Sequence, residues 1–334
     1  MRALSFPSES PFIEKSKLKL NSLPNRYKGI RELRLPRLRL IAGCSLILTS
    51  ILMQGAPMSE TANAAAPVKK LLWSEEFKGK AGASIDLKTW KFDLGDGSDN
   101  GIPGWGNSER EYYITEAAKL DGSKNGGLTI TAQRPNTDTP PICYYGECEW
   151  TSARINTLGK VTFKYGYIEA RIKMPSGGGT WPAFWALGSN ITKGSPWPEC
   201  GEIDIIEAVG NNPLGVTGTL HGPGYSGGEG ITETTYLKKA LSADYHLYAV
   251  NWTSAKIEFL VDGKVYHTVT KKDVAPSKWP FDQDFFLILN LAMGGNLGQD
   301  IDPELTKATL HVDFIKYYSV NGVGKVTKLS GGKA

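Results

Sequence analysis

Three carboxylates lie within six residues of one short segment. They are Glu202, Asp204 and Glu207, and the three residues between them are isoleucines. Side chains alternate along a regular strand, so Glu202 and Asp204 share a face and Glu207 takes the other. A β-bulge near Ile205-Ile206 would return Glu207 to the face of Glu202. The segment therefore predicts three acids on one face of a strand, with Asp204 in the middle.

Neighbouring carboxyl groups of this kind suit a retaining glycosidase. In such an enzyme two carboxyl groups lie about 5–5.5 Å apart. One attacks the anomeric carbon, and the second protonates the leaving oxygen and later activates water. The proton donor needs a raised pKa, which a nearby like charge can supply. Asp204 would hydrogen-bond a neighbouring carboxylate and hold its orientation. A solvated acidic face is the alternative, but offsets of two and five residues share no helix face, and isoleucines favour a strand.

Tryptophans precede these acids in the chain. Trp181 and Trp185 belong to a Trp-Pro-Ala-Phe-Trp segment that follows three glycines, and Trp197 begins a second Trp-Pro pair. The apolar face of a sugar stacks on an indole, and the indole N–H can bond a hydroxyl. A single tryptophan is more often a core residue, but three beside three acids favour a carbohydrate site. The glycines indicate a loop that a ligand approaches closely.

The elements that must position these residues are strands. Helical periodicity is weak, and Asp262-Gly263 is typical of a tight hairpin turn. Many strands separated by Gly- and Pro-rich turns predict an all-β sandwich or barrel, in one domain of about 250 residues. The segments with strand patterns are 127–132, 168–174, 256–270, 285–292 and 308–318.

The net charge of +4 originates in the first 64 residues. Residues 1–64 hold ten Lys/Arg and four Asp/Glu, whereas residues 65–334 hold 28 and 30, so the body gives no reason to expect a nucleic-acid partner. The apolar run 40–53 is shorter than the roughly 20 residues of a membrane span, and Ala62-Asn63-Ala64 fits a small-x-small cleavage site. We expect a signal peptide over 1–64 and a secreted protein. An uncleaved membrane anchor is the alternative.

Cys143 and Cys148 bracket a short polar loop. In a secreted protein this spacing predicts a disulfide, and zinc binding is disfavoured because no His pair or second Cys pair accompanies it. Cys200 is left over and is expected to be buried. The Gly-, Lys- and Ser-rich stretch 321–334 is predicted to be a flexible tail.

Together these features resemble glycoside hydrolase family 16 enzymes of the laminarinase (endo-1,3-β-glucanase) type. The acid motif has the bulged Glu-x-Asp-x-x-Glu form, and the resemblance covers residues 71–318. Further matching segments are 104–109 (GWGNSE), 151–154 (TSAR), 165–171 (YGYIEAR), 181–185 (WPAFW), 218–224 (GTLHGPG) and 289–295 (LNLAMGG).

The resemblance implies a concanavalin A-like β-jelly-roll over residues 65–320, with a substrate cleft across its concave sheet. It implies Glu202 as nucleophile, Glu207 as acid/base and Asp204 as supporting acid, an order that the residues alone do not give. His221 would lie near the acids on a neighbouring strand, and a structural hydrogen bond is the alternative for it. The glucose subsites would be lined by Asn107, Arg154, Trp181, Trp185 and Trp197.

The resemblance also bears on cofactors and partners. Catalysis needs no cofactor, but family members often hold one structural calcium on the convex side. Glu76, Gly126 and Asp313 fall where its ligands would be, and oxygen ligands suit calcium. We expect a monomer that acts on β-1,3-glucan, without a nucleic-acid partner and without a membrane after signal cleavage.

Two alternatives to this function remain open. The same fold could act on mixed-linkage β-glucan or on a galactan such as agarose or carrageenan, although the mixed-linkage type usually lacks the extra residue between Asp204 and Glu207. A non-catalytic glucan-recognition protein is the second, but such proteins lose the catalytic glutamates, and here all three acids are present.

Overall fold

The computed structural model describes residues 67–329. The signal peptide predicted for 1–64 falls outside these residues, as does the end of the predicted tail, 330–334. In the described part nearly all regular structure is β-strand. The strands are β1 (Lys69–Glu75), β2 (Lys91–Asp93), β3 (Glu111–Tyr113), β4 (Ala118–Leu120), β5 (Leu128–Gln133), β6 (Ile142–Cys143), β7 (Gly146–Glu147), β8 (Trp150–Ser152), β9 (Arg154–Asn156), β10 (Val161–Lys164), β11 (Gly166–Lys173), β12 (Thr180–Gly188), β13 (Glu202–Glu207), β14 (Gly215–His221), β15 (Ile231–Tyr236), β16 (His246–Trp252), β17 (Lys256–Val261), β18 (Lys264–Thr270), β19 (Phe285–Met293), β20 (Lys307–Val320) and β21 (Lys325–Lys328).

Between residues 67 and 329 helical structure is limited to short turns. In residues 67–329 no helix has the length and apolar character needed to cross a membrane. The α-helix is α1 (Gly295–Gly298), and the 3-10 turns span Ser98–Asn100, Pro103–Gly106, Thr115–Ala117, Ser189–Lys193 and Gly227–Glu229.

The strands form two large sheets. A ten-stranded sheet has the order β18-β17-β16-β11-β20-β5-β8-β3, with β1 added to β20 and β4 to β5. A nine-stranded sheet has the order β15-β14-β13-β12-β19-β10-β21, with β9 joining β19 and β2 joining β9. Strands β3 and β8 run parallel, and β6 and β7 form a separate hairpin. Non-consecutive neighbours recur in both sheets, so much of the topology depends on long-range pairing.

The core lies between the two large sheets. Ile130 and Ile168 from the ten-stranded sheet share one buried cluster with Phe184, Ile203 and Leu289 from the nine-stranded sheet. Full burial of such a side chain is worth roughly 1.5–3 kcal/mol, so this apolar layer is what holds the sheets together. The predicted all-β sandwich is confirmed.

Local strand predictions are also confirmed. Strands β17 and β18 form the predicted hairpin, in which Asp262 (φ 49°) and Gly263 (φ 76°) adopt the left-handed conformation that a two-residue turn of this kind requires. Every residue of β19 is buried, because this strand lies in the middle of its sheet and is covered on both faces.

The flexible tail predicted from residue 321 is wrong over residues 325–328. Asn321 (φ 51°) and Gly322 (φ 80°) make a two-residue turn, and β21 then pairs with β10 in the nine-stranded sheet. Val326 packs against the core. The composition suggested a loose segment, but an Asn-Gly turn is a strong signal for a reversal of the chain.

Candidate active site

A β-bulge turns the three acids of β13 to one face of the nine-stranded sheet. Towards β14 the pairing moves from Asp204–Thr219 to Glu207–Thr217, so three steps along β13 correspond to two along its neighbour. The predicted bulge is therefore confirmed, and Glu207 returns to the side of Asp204 and Glu202. The isoleucines between the acids all join the core on the opposite face: Ile203, Ile205 and Ile206.

The acids open into a cleft of about 520 Å³ over the outer face of this sheet. Strand β12 shows how the sequence builds it: Trp181, Ala183 and Trp185 line the cleft, while Phe184 between them is buried in the core. All nine side chains predicted for catalysis or substrate binding line this one cleft: Asn107, Arg154, Trp181, Trp185, Trp197, Glu202, Asp204, Glu207 and His221.

Each glutamate receives a hydrogen bond from its own tryptophan. Trp197 Nε1 donates to Glu202 Oε2 over 3.0 Å, and Trp181 Nε1 donates to Glu207 Oε1 over 3.0 Å. An N–H donor fixes the orientation of a carboxylate and favours its ionised form. The two indoles therefore act on the carboxyl groups directly, in addition to lining the cleft.

His221 lies beside the acids on β14, as predicted. Its Nε2 is 3.2 Å from Asp204 Oδ2 and 3.7 Å from Glu202 Oε1. Ligand atoms of these three residues lie within 4.8 Å of one another, and they are the one group of His, Cys, Asp and Glu residues in 67–329 close enough to share a metal ion. These residues are two of the predicted catalytic acids and their neighbouring histidine, so the group does not indicate a metal site distinct from the acid site.

Burial dominates the protonation of the acids. It raises the pKa of Glu202 and Asp204 well above their ordinary values, and repulsion from a neighbouring carboxylate raises each further. Burial also raises the pKa of Glu207, against the opposing effect of the Trp181 N–H. Three buried carboxyl groups so close together do not all ionise near neutral pH, and the site can therefore offer both a proton donor and an ionised carboxylate.

Arg154 is held rigidly on the cleft wall. Its guanidinium carbon lies 4.4 Å from the ring centre of Trp105 and 4.8 Å from that of Trp185, and its Nε donates to Asp93 Oδ2 over 3.1 Å. Stacking between two indoles limits the motion of the guanidinium. The side chain is therefore preorganised to present donors to a ligand in the cleft.

Sequence reasoning missed several cleft residues. Asn290 is the one polar residue of the buried strand β19, and that contrast could have identified it. Glu109 stands in a segment that matched the family pattern but received no role. Thr217, Thr219 and Thr232 lie on β14 and β15, where threonine is an ordinary strand residue and gives no signal. The other lining residues without a prediction are Ala183, Gly227, Gly228, Asn296 and Leu297.

None of the three residues predicted for calcium lines the cleft, and two of them, Glu76 and Gly126, are in contact. Gly126 contacts the main chain just after β1 so closely that an added Cβ would lie 1.7 Å from the Glu76 carbonyl oxygen. This close approach fits an ion site built from carbonyl oxygens, since a side chain would fill it. The Asp313 carboxylate on β20 accepts a hydrogen bond from Arg171 over 2.6 Å. Calcium binding stays a prediction.

The predicted disulfide between Cys143 and Cys148 is present and closes the β6–β7 hairpin. Cys200 is free and fully buried. The hairpin supports the segment that carries Asn107 and Glu109: the Tyr144 main-chain N–H donates to Asp96 Oδ2 over 2.6 Å, and the Tyr145 hydroxyl donates to the Arg110 carbonyl over 2.6 Å.

Comparisons with known proteins agree with this geometry. The family model of glycosyl hydrolases family 16 matches residues 108–316. The chain is 36% identical over 290 residues to a β-glucanase of Rhodothermus marinus, covering 84% of this chain and 92% of that protein.

Two solved structures show the same fold. The laminarinase catalytic domain of Thermotoga maritima is 42% identical with a TM-score of 0.69, and covers 75% of this chain and 98% of its own. The endo-β-1,3-glucanase of Pyrococcus furiosus is 41% identical with a TM-score of 0.69, and covers 75% of this chain and 95% of its own. The sandwich of two sheets is therefore the predicted β-jelly-roll.

Proposed function

The chain belongs to glycosyl hydrolases family 16, and we propose that it hydrolyses internal β-1,3-glucosidic bonds of laminarin-like glucans with net retention of configuration. It is a glycoside hydrolase of the endo-1,3-β-glucanase type, and its substrate is a β-glucan. The observation that carries the proposal is the bulge in β13, which aims all three acids into a cleft that tryptophans line. Identities of 42% to a protein described as a laminarinase and 41% to one described as an endo-β-1,3-glucanase support the choice of bond.

In the proposed mechanism Glu202 is the nucleophile and Glu207 the acid/base. Glu202 attacks the anomeric carbon and forms a glycosyl-enzyme while Glu207 protonates the leaving oxygen; Glu207 then deprotonates the water that releases the sugar. Burial favours the protonated form of both glutamates, and the N–H of Trp197 at Glu202 and of Trp181 at Glu207 opposes it. The order of the two glutamates follows the family resemblance.

Asp204 and His221 support this pair. Asp204 lies between the glutamates on the same face, and its raised pKa suits a group that shares a proton with a neighbouring carboxylate. His221, whose Nε2 lies 3.2 Å from Asp204 Oδ2, opposes the rise in the pKa of Glu202 and Glu207. Stacking on Trp181, Trp185 and Trp197 would position glucose rings, with Asn107 and Arg154 as donors to their hydroxyls.

The setting of the enzyme is also a proposal. We infer secretion from the basic and apolar leader, the small-residue cleavage motif and the Cys143–Cys148 disulfide, since disulfides persist in oxidising compartments. We further propose a monomer in solution, without a nucleic-acid or membrane partner after removal of the leader. Mass photometry and N-terminal sequencing of the secreted protein would test both.

Activity on laminarin tests the proposal directly. Release of reducing ends should be rapid for the wild type, and Glu202→Gln and Glu207→Gln should each lose several orders of magnitude, because nucleophile and acid/base act as a unit. Glu304→Gln, at an exposed site, is the matched control. Proton NMR of early products should show the β-anomer first. Wild-type turnover in Glu202→Gln would refute the assignment, and an initial α-anomer would refute retention.

A further inference from the structure

A second pair of buried carboxyl groups lies beside the cleft. Glu109 is 3% exposed and lines the cleft, whereas Glu111, two residues later on β3, is 0% exposed. The proposed mechanism uses neither of them. Burying two carboxyl groups is costly unless each is hydrogen-bonded and their charge is limited, so the arrangement calls for a specific explanation.

Glu109 is the acceptor at the end of a chain of donors. Trp185 Nε1 donates to Asn290 Oδ1 over 2.8 Å, and Asn290 Nδ2 donates to the Tyr113 hydroxyl over 3.1 Å. That hydroxyl donates to Glu109 Oε2 over 3.0 Å, and Asn107 Nδ2 donates to Glu109 Oε1 over 3.1 Å. Both oxygens of Glu109 thus accept hydrogen bonds, which is the environment of an ionised carboxylate.

Glu111 has one satisfied oxygen and one that lacks a donor. Its Oε2 accepts the Met293 main-chain N–H over 2.7 Å, but no N–H or O–H group in residues 67–329 donates to Oε1. The carboxyl group of Glu109 lies within hydrogen-bonding range of Glu111. A proton on Glu111 would satisfy the pair, since it can be donated to Glu109.

Few groups near Glu109 and Glu111 could stabilise a second negative charge on the pair. Burial and the charge of Glu109 both raise the pKa of Glu111 well above its ordinary value. Burial keeps the Tyr113 phenol neutral by raising its pKa as well. The remaining titratable or charged side chains that face this region are Glu207 in the cleft, Tyr144 and Tyr145 on the disulfide hairpin, Asp96, Arg110, which pairs with Glu149, and Arg154, which pairs with Asp93.

We propose that Glu109 and Glu111 hold one proton between them, with Glu111 as the neutral donor, and that ionised Glu109 accepts a hydrogen bond from a glucose hydroxyl at the Glu207 end of the cleft. Glu109 is then a substrate-binding residue and Glu111 a positioning residue that acts through it. The placement near Glu207 follows from the sheet register. Glu207 pairs with Ala183 and Ala183 with Asn290, and the Tyr113 hydroxyl links the Asn290 amide to Glu109. The choice of glucose as ligand rests on the proposed function.

Stability as a function of pH tests the shared proton without any substrate. Glu111 has a raised pKa in the folded state, so the wild type loses stability as pH rises above the unfolded pKa of about 4.3. Glu111→Gln keeps an acceptor for Met293 and a permanent donor for Glu109, and cannot lose a proton. Its Tm relative to the wild type should therefore rise by a few degrees between pH 5 and pH 8. Glu304→Gln, at an exposed position, should show no such trend.

Binding tests the role of Glu109. In the Glu202→Gln background, calorimetry with a laminarin oligosaccharide should show about tenfold weaker binding after Glu109→Gln, because a hydrogen bond to a charged acceptor is lost. Glu111→Met should also weaken binding, and Glu111→Gln should restore it. In the active enzyme these losses should appear mainly in KM.

The outcomes separate this inference from the proposed function. The shared proton would be overturned if the Tm of Glu111→Gln relative to the wild type falls as pH rises. It would also be overturned if Glu111→Gln binds the oligosaccharide as weakly as Glu111→Met. Unchanged affinity in Glu109→Gln would overturn its contact with substrate. If the Glu202→Gln background binds no oligosaccharide at all, the proposed substrate and the Glu109 contact are both overturned, while the pH arm still decides the shared proton.

Discussion

The indole N–H of Trp197 donates to Glu202 Oε2 over 3.0 Å, although Trp197 lies in a loop and is 43% exposed while Glu202 lies on a central strand. A partly exposed side chain thus controls a carboxyl group deep in the cleft. Trp181 has the same relationship to Glu207 from the neighbouring strand. Because each glutamate has a separate donor, we expect the pKa of each to respond to its own tryptophan, and the two limbs of the pH–activity profile to shift separately.

Replacement of Trp197 by Phe should move the acidic limb of the pH–activity profile. The ring remains, but the N–H that favours ionised Glu202 is lost, so the pKa of Glu202 rises and the nucleophile ionises only at higher pH. We expect a shift of about one pH unit, since a hydrogen bond to a charged group is worth about 1.5–3 kcal/mol. The dependence of log kcat/KM on pH measures it. A shift to lower pH, or of the alkaline limb alone, would contradict the assignment of Glu202.

Replacement of Trp181 by Phe should move the alkaline limb of the pH–activity profile. Loss of its N–H raises the pKa of Glu207, so the acid/base keeps its proton to higher pH, and the alkaline limb moves up by a similar amount. The acids titrate together, so the observed values belong to the cluster, and the comparison between the two variants matters more than either number. If the same limb moves in both variants, the two tryptophans do not set the pKa values of the two glutamates separately.

Some features of this fold could be predicted from local chemistry. The bulge near Ile205-Ile206 followed from the odd offset of Glu207 relative to Glu202. The hairpin at Asp262-Gly263 followed from a turn whose residues tolerate positive φ. Such features depend on neighbours in sequence, and the three acids are all on one strand, so their convergence required only the register of that strand.

Other features depend on contacts that the sequence does not reveal. Glu111 becomes fully buried because its carboxyl accepts the N–H of Met293, 182 residues away. Asn290 interrupts an apolar strand, and its hydrogen bond to the Tyr113 hydroxyl is visible only in the folded structure. The Asn-Gly turn after β20 signals a reversal of the chain, but it does not identify β10, in the other sheet, as the partner of β21.

The cysteines should differ in reactivity. In protein purified without reductant, mass spectrometry should find Cys143 joined to Cys148 and Cys200 free. Burial raises the pKa of the Cys200 thiol to about 12, so a thiol reagent at pH 8 should modify it only after unfolding. Reduction should cost little global stability, because the closed loop is very small. Rapid labelling of Cys200 in the native protein would contradict its burial.

The substrate range should follow the shape and polarity of the cleft. Stacking on Trp181, Trp185 and Trp197 would recognise ring faces, which glucans and galactans share. Arg154, which lies over the rings of Trp105 and Trp185, would distinguish the positions of hydroxyl groups. The axial hydroxyl of a galactan would leave buried polar groups unpaired, and such mismatches discriminate strongly.

We therefore expect rapid cleavage of laminarin, slower cleavage of mixed-linkage β-glucan where a 1,3-linked unit fits, and no cleavage of agarose, cellulose or xylan. Products should form a ladder of short oligosaccharides, because an endo-acting enzyme cleaves internal bonds. Chromatography of early products from each polysaccharide at equal enzyme concentration measures both points, and Glu304→Gln again serves as the control. Faster cleavage of agarose would refute the choice of glucan while leaving the roles of Glu202 and Glu207 intact. Glucose as the sole early product would refute endo action.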